Sequence, residues 1–329
     1  MKLGLTIATA LTLMGATALT GCVANGPTRD SARQRKAAQH VLSAQTFLDE
    51  GLTDSALAAF GLALEENPTL TDAHLGMGDI YRERNDYALA AAAYERAVAL
   101  DPNNFDAQYY LGLMRQLMGN VRGAIQTYLH ALAIDPNNFD ANRDLAAAYL
   151  QLGSPGEALP YAKRATRLNP DSQAAWTNLA ACHSLMGQYQ EAVDAYRQAA
   201  EQGDMPQQVL LGLADAHIKL GNYTRATNVL ASLIRRAPSS TAYERLGYTQ
   251  FKTRDFDQAL KNFRKALSLN PEDTAALNGV GVSLMTLYVL GDRIDPRLRD
   301  QSIDAWRRSV RLRPNQPRII DLLSRYNRI

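Results

Sequence analysis

Cys182 and His183 are adjacent and combine the residue types of a nucleophile and its general base. Adjacent side chains on a helix point about 100° apart, so this pair cannot form the hydrogen bond that activates a thiol. Cys182 is therefore expected to be a small, buried thiol.

The remaining candidates for chemistry are also weak. No histidine among His40, His74, His130, His183 and His217 begins an HExxH motif, and no cysteine or histidine spacing fits zinc. His183 and His217, 34 residues apart, are expected to be packing residues. The sequence contains neither a P-loop nor a G-x-S-x-G motif. It predicts no catalytic residue, no metal, no cofactor and no small-molecule substrate, and therefore no enzyme.

Cys22 is the candidate for covalent modification. Lys2 precedes an apolar stretch from Leu3 to Leu19, an arrangement typical of a secretory signal. Leu19-Thr20-Gly21-Cys22 resembles the bacterial lipobox. This resemblance implies that residues 1–21 are a lipoprotein signal peptide and that the Cys22 thiol receives a diacylglyceryl group, with acylation of the new amino group. The alternative is an uncleaved membrane anchor, for which about 17 residues is marginal.

Residues 22–36 are predicted to be the lipidated cysteine and a flexible tether, because they are polar and contain Gly26-Pro27. Val23, and not an aspartate, follows the cysteine, which resembles outer-membrane sorting in Gram-negative bacteria. The resemblance implies an exported protein, anchored to the outer membrane and facing the periplasm.

A heptapeptide repeat sets the organisation of the rest. Residues 101–107 recur letter for letter at 135–141, 34 residues later. The same period connects Pro68, Pro102, Pro136 and Pro170, and predicts helical hairpins. Proline ends each second helix, and small residues let paired helices approach closely. Alanines recur twelve and five residues before these prolines: Ala56, Ala63, Ala90, Ala97, Ala124, Ala131, Ala158 and Ala165. Glycine or asparagine marks the turns at Gly51, Asn85, Gly119, Gly153, Gly187 and Gly221.

The period, together with Met77-Gly78 before Tyr81 and Leu145-Ala146 before Tyr149, resembles the tetratricopeptide repeat (TPR) family. The resemblance implies an all-α fold, a right-handed superhelical solenoid of about eight TPR hairpins with a C-terminal capping helix. Within 37–314, the predicted repeats are 37–70, 71–104, 105–138, 139–172, 173–206, 207–239, 240–273 and 274–314, and the capping helix is 315–329. Repeat five has Asp204 where proline is expected, and about nine extra residues near 291–299 are expected to lengthen the turn of repeat eight.

Charge is distributed unevenly along a chain whose net charge is only +2. Residues 37–172 contain 17 acidic and 9 basic side chains, whereas residues 173–329 contain 15 acidic and 21 basic ones. The small net charge and the expected export argue against a nucleic-acid partner. Arginines near the C-terminus are candidates for contact with an acidic partner or with anionic lipid headgroups, the alternative being a solvated face: Arg307, Arg308, Arg311 and Arg313.

In the TPR family, the first helix of each hairpin lines a binding groove. The resemblance implies protein or peptide binding by residues on those helices: Asp72, Asp79, Tyr109, Gln116, Arg143, Asn178, Asp215, Lys219, Tyr248 and Lys252. Tyr109 and Tyr248 are candidate anchors for an extended peptide or a helix. The lysine and asparagine clamp that holds chaperone tails has no matching positions here.

Together these features predict a non-catalytic protein–protein interaction scaffold, attached to the membrane by its lipid and binding other envelope proteins. The layout resembles TPR lipoproteins that assemble tight-adherence and type IV pili, so an assembly or adaptor factor for a pilus or secretion system is the first hypothesis. The alternatives are an accessory protein of an outer-membrane or polysaccharide assembly machine, and the partner-recruiting part of an envelope enzyme.

Overall fold

A computed structural model describes residues 29–201 and 206–326. Within these residues the chain forms 17 α-helices and no strand, which confirms the predicted all-α repeat fold. The chain divides into two compact units, residues 1–73 and 74–329. The predicted signal peptide, Cys22 and Asp204 lie outside the described residues.

The first unit contains one hairpin, α1 (Arg29–Asp49) and α2 (Thr53–Glu66). The predicted flexible tether was too long, because residues 29–36 are already helical. Arg33 and Lys36 lie 3.9 and 3.8 Å from the Glu66 carboxylate, so the first turns of α1 are tied to the end of α2. Asp30 in the first turn of α1 also interacts favourably with the helix dipole.

The second unit continues the series of hairpins. The helices are α3 (Thr71–Glu83, beginning in the first unit), α4 (Tyr87–Leu100), α5 (Phe105–Leu117), α6 (Val121–Ile134), α7 (Phe139–Gln151), α8 (Pro155–Leu168), α9 (Gln173–Leu185), α10 (Tyr189–Glu201), α11 (Gln207–Lys219), α12 (Tyr223–Arg236), α13 (Ser240–Lys252), α14 (Phe256–Leu269), α15 (Thr274–Leu290), α16 (Pro296–Leu312) and α17 (Pro317–Tyr326).

Two layers are formed in this unit. From α5 to α15, each first helix contacts the first helix of the next hairpin; we call these helices the first-helix layer. Each second helix from α6 to α14 contacts the first helices before and after it, and α4 contacts α5; these second helices form the second-helix layer.

The recurring small residues lie where helices meet. Ala90, Ala124 and Ala158 are fully buried, and so are the alanines seven residues after them. Gly112 is a further small residue at such a contact. The Tyr128 ring fills the space beside it, since a Cβ atom at Gly112 would lie 2.8 Å from that ring. Close backbone approach and large aromatic side chains together give the dense packing that protein interiors require.

The turns use the left-handed conformation expected from their glycines. Gly119 and Gly153 have φ angles of 80° and 78°, and Asn85 has 63°. At the seventh hairpin, Arg254 adopts the same conformation with φ of 64° although it has a side chain.

The extra residues of the last repeat lengthen its helices more than its turn, in contrast to the sequence prediction. α15 and α16 each have 17 residues, compared with 13 in α13 and 14 in α14. The additional turns are helical because they have an apolar surface to bury: Tyr288 at the end of α15 and Leu298 at the start of α16 join one cluster. α17, which lies in the predicted capping segment, completes this cluster through Ile319.

Candidate peptide-binding groove

A groove in the first-helix layer brings together four of the predicted binding residues. Asp215 and Lys219 lie on α11, and Tyr248 and Lys252 lie on α13. The groove has a volume of about 780 Å³; we call it the Tyr248 groove. Its other lining residues are Ser184, Tyr189, Ile218, Tyr223, Glu244, Arg245 and Ala275.

Helical spacing explains why these side chains converge. Residues 215 and 219, like residues 248 and 252, are four apart, so each pair lies on one helix face about one turn apart. The opposite faces are in the core, with Leu213 on α11 and Leu246 on α13 buried. Direct contact between α11 and α13 then places the two polar faces beside each other.

Charges in the groove are partly paired. The Arg245 guanidinium donates a hydrogen bond to the Asp215 carboxylate on the preceding first helix, and it lies 3.9 Å from the Glu244 carboxylate. Lys219 and Lys252 are exposed and have no carboxylate partner within the described residues. The Lys252 ammonium lies 5.6 Å from the centroid of the Tyr248 ring, within cation–π range. Arg245 and Asp215 therefore form the paired centre of the groove, and Lys219 and Lys252 form its basic end.

Glu244 has a pKa near neutral pH. Burial raises its pKa to about 7, with further raising by Asp273 and Asp215, while Arg245 acts in the opposite direction. Its side chain is 20% exposed. Near neutral pH, Glu244 exchanges between its neutral and charged forms, so the charge of the groove depends on pH.

Replacing Glu244 with glutamine is expected to reduce the pH dependence of stability. The pKa of Glu244 in the folded chain is raised, so its contribution to stability is fully present below its unfolded pKa, near 4.5, and is lost as pH rises through about 7. Relative to wild type, Glu244→Gln should therefore gain unfolding free energy between pH 5 and pH 8, on the order of 2 kcal/mol. Urea unfolding at both pH values measures this gain.

Glu272→Gln provides the control, because it makes the same chemical change at an exposed carboxylate outside the groove. If the free energy of unfolding depended on pH in the same way in wild type and in Glu244→Gln, the raised pKa of Glu244 would be contradicted.

The two predicted tyrosine anchors have different environments. Tyr248 is 40% exposed and faces the groove. Tyr109 is half-buried, donates its hydroxyl to Asp144 at 2.8 Å, and stacks on Phe105 at a centroid distance of 5.9 Å. Burial, followed by the Asp144 charge, raises the pKa of Tyr109. Tyr248 is consequently the more accessible of the two rings.

The other residues predicted for the groove contact their neighbours in the chain. Asp79 accepts hydrogen bonds from the hydroxyl of Tyr94 at 2.7 Å and from Arg82 at 3.3 Å. Gln116 accepts one from Tyr128 at 2.9 Å. Each of the two tyrosine contacts joins the two helices of one hairpin.

Arg143 and Asn178 complete the predicted set in the second unit. Arg143 lies 2.7 Å from Asp140 and 2.8 Å from Asp144, and these carboxylates raise its pKa. Asn178 donates to the backbone carbonyl of Arg143 at 3.0 Å and so connects successive first helices. Asp72 is exposed and lies in the first unit.

Glu244, Arg245 and Asp144 are site residues that the sequence analysis missed. Arg245 pairs with a residue 30 positions earlier, and Asp144 pairs with one 35 positions earlier. Residues about one repeat apart lie on neighbouring first helices. A search for oppositely charged or hydrogen-bonding residues at that separation would therefore have identified them.

The candidates for chemistry do not assemble into a reactive site. Cys182 is fully buried, as predicted, and burial raises its pKa to about 11. Nδ1 of His183 lies 2.6 Å from Oε1 of Gln188. Within the described residues no cluster of His, Cys, Asp and Glu has a metal-binding arrangement. No helix of that part of the chain has both the length and the hydrophobicity to cross a bilayer.

Comparisons with known proteins agree on the family. Models of the TPR repeat match residues 78–119 and 116–153, and tetratricopeptide repeat models match residues 139–182, 185–247 and 240–273. No curated protein matches significantly.

Three solved structures share the fold. A tetratricopeptide repeat protein from Parabacteroides merdae is 18% identical, with 76% of this chain and 99% of that chain covered and a TM-score of 0.52. Pseudomonas aeruginosa pilF is 22% identical, with 65% of this chain and 97% of that chain covered and a TM-score of 0.53. PilW, a type IV pilus biogenesis factor, is 21% identical, with 61% of this chain and 94% of that chain covered and a TM-score of 0.50. The chain belongs to the tetratricopeptide repeat family, whose fold is generally a scaffold for protein interactions.

Proposed function

We propose that this protein is a non-catalytic scaffold that binds an extended segment of a partner protein in the Tyr248 groove. The observation that carries the proposal is the groove itself. Its lining includes the exposed Tyr248 ring, with the Lys252 ammonium beside it, and the ion pair between Arg245 and Asp215. Its volume of about 780 Å³ is within the range of ligand pockets, roughly 300–1,000 Å³. Exposed aromatic side chains such as that of Tyr248 are enriched at protein-binding surfaces.

The chemistry of the groove favours an acidic segment. Lys219 and Lys252 lack carboxylate partners within the described residues, whereas Arg245 is already paired with Asp215. Carboxylates of the bound segment would form ion pairs with Lys219 and Lys252, and an apolar or aromatic side chain of the segment would pack on the Tyr248 ring. Preformed pairing at the centre fixes the groove before binding, which reduces the entropy lost on association.

The non-catalytic part of the proposal is supported by Cys182 and His183. The thiol is inaccessible in the core, and the histidine ring is engaged by Gln188. Neither residue lines the Tyr248 groove.

The proposal includes anchoring through a lipid on Cys22 to the outer membrane, facing the periplasm, on the basis of the lipobox. It also includes a role in assembling an envelope complex such as a pilus or secretion system. The layout of lipobox and repeats suggests this pathway, and two chains of similar fold are named pilF and PilW. An outer-membrane or polysaccharide assembly machine, or an envelope enzyme that recruits partners through this chain, is the alternative setting.

A pull-down tests the groove. Tyr248→Ala combined with Lys252→Ala removes the exposed ring and one of the lysines, and should reduce recovery of the groove partner from solubilised membranes by about tenfold. The control, Lys261→Ala with Lys265→Ala, changes exposed residues of α14 outside this groove. Circular dichroism checks that both variants are folded. Equal recovery of all partners by wild type and the folded groove variant would contradict the proposal.

A further inference from the structure

A second groove lies in the second unit between α14 and α16, and it differs in character from the first. Its volume is about 820 Å³. Apolar side chains form its floor: Leu267, Leu277, Val280, Leu284 and Val310. Polar and charged side chains form its rim: Arg264, Gln301, Asp304, Arg307, Arg308 and Arg311. We call it the arginine groove.

The rim has an excess of positive charge. Its single carboxylate, Asp304, lies 3.7 Å from Arg307. Arg308 donates to the backbone carbonyl of Pro271 at 2.6 Å, and Arg264 donates to Gln301 at 3.4 Å. These two arginines, together with Arg311, have no carboxylate partner within the described residues. The rim therefore presents guanidinium groups that an incoming carboxylate can pair with.

The dimensions fit a short helix. The lining residues of α16 run from Gln301 to Arg311, a span of about 15 Å or nearly three helical turns. Leu277, Val280 and Leu284 follow one another along one face of α15 at the bottom of the groove. An apolar floor between two helices is a setting in which an amphipathic helix packs by its i, i+3, i+4 and i+7 side chains.

We propose that the arginine groove binds an acidic amphipathic helix of about three turns from a partner protein. The apolar face of that helix covers the floor, and its carboxylates pair with the arginines, which suit bidentate contact. A membrane surface is the less favourable occupant, because a flat layer of headgroups reaches the rim but not a floor recessed between two helices. This surface is separate from the Tyr248 groove, so the chain would hold two partners or two segments of one.

The sequence placed Arg313 with this cluster, and the structure separates it. Arg313 is the C-cap residue of α16 and does not line the groove. Arg313 and Arg318 are both exposed near the same end of the chain, so they provide a matched control for changes in net charge.

Fluorescence anisotropy with the full mature chain tests the proposal. The probe is a labelled peptide of about 12 residues with leucine at i, i+3, i+4 and i+7 and glutamate at most other positions. A scrambled peptide of identical composition retains the charge but not the apolar face. We expect the scrambled peptide to bind at least about tenfold more weakly, and Arg308→Glu with Arg311→Glu to weaken binding of the amphipathic peptide similarly. The control, Arg313→Glu with Arg318→Glu, should change affinity by less than about twofold.

Several results would overturn the proposal. Equal binding of both peptides would show attraction by charge alone, and equal loss in the control would show an effect of net charge. Binding to vesicles containing phosphatidylglycerol, without binding of the peptide, would assign the surface to lipid. Loss of peptide binding in the Tyr248→Ala, Lys252→Ala variant would place the peptide in the other groove, so failure here is distinguishable from failure of the proposed function.

Discussion

Replacing Cys22 with serine is expected to leave almost none of the protein in its processed, membrane-attached form. Serine lacks the thiol that would form the thioether to diacylglycerol. Each buried methylene contributes about 0.8 kcal/mol, and a single acyl chain gives only reversible binding, so durable attachment would depend on the two or three chains that we propose at this residue. The variant should accumulate as an unprocessed precursor or appear in the soluble fraction, as measured by carbonate extraction and immunoblotting.

Cys182→Ser is the matched control for this experiment. It makes the same chemical change at the chain's other cysteine, which is buried in the core of the second unit. Its membrane association should equal that of wild type. If Cys22→Ser stayed carbonate-resistant at an unchanged size, the segment before Cys22 would be an uncleaved anchor and the lipid proposal would be wrong.

Trp306→Ala is expected to give the largest loss of stability among single changes in the last hairpin, about 3–5 kcal/mol. Trp306 is 1% exposed and packs in one cluster with Met285, Tyr288 and Ile319. It lies against the backbone of Gly281, where an added Cβ would be 2.3 Å from the indole nitrogen. Its removal leaves a cavity where α15, α16 and α17 meet.

Because each repeat of an array is stabilised mainly by the repeats next to it, the loss of stability should appear first at the C-terminal end of the chain. Hydrogen exchange in Trp306→Ala should accelerate in α16 and α17 before it changes in α5 to α8, and the melting temperature should fall. Trp176→Ala is the control: Trp176 is half-buried, and its indole donates to the backbone carbonyl of Pro170 at 2.7 Å. A larger loss in Trp176→Ala than in Trp306→Ala would contradict this account of the packing.

The periodic part of the fold follows from the sequence because a packing rule repeats every 34 residues. Ala90, Ala124 and Ala158 are all fully buried, since a larger side chain would keep the paired helices apart. Gly119 adopts the left-handed conformation that a side chain disfavours.

The insertion shows where local pattern is insufficient. The apolar stretch that ends at Leu290 was recognisable, but its length alone does not reveal whether extra residues extend a helix or a turn. Tyr288 and Leu298 decide the outcome because both join one apolar cluster across the hairpin, and sequence spacing does not specify that cluster.

The site was predictable only in part, because residues on neighbouring first helices can face either a partner or each other. Four of the residues predicted for the groove, one of them Tyr248 itself, line the Tyr248 groove. Tyr109 instead contacts Asp144, and Arg143 is paired with Asp140 and Asp144 on its own helix. The rotation of each helix, set by packing on its opposite face, determines which of these outcomes occurs.

Photocrosslinking at residue 248 in intact cells tests the central claim most directly. Tyr248 is replaced by p-benzoylphenylalanine, which keeps an aromatic ring at the groove surface, and the exposed Lys163 of α8 is replaced in the same way as the control. We predict a discrete crosslinked partner from position 248 that is absent from position 163 and is lost when Lys219 and Lys252 are also changed to glutamate. Crosslinking at 248 no stronger than at 163, in a folded protein, would contradict binding in this groove.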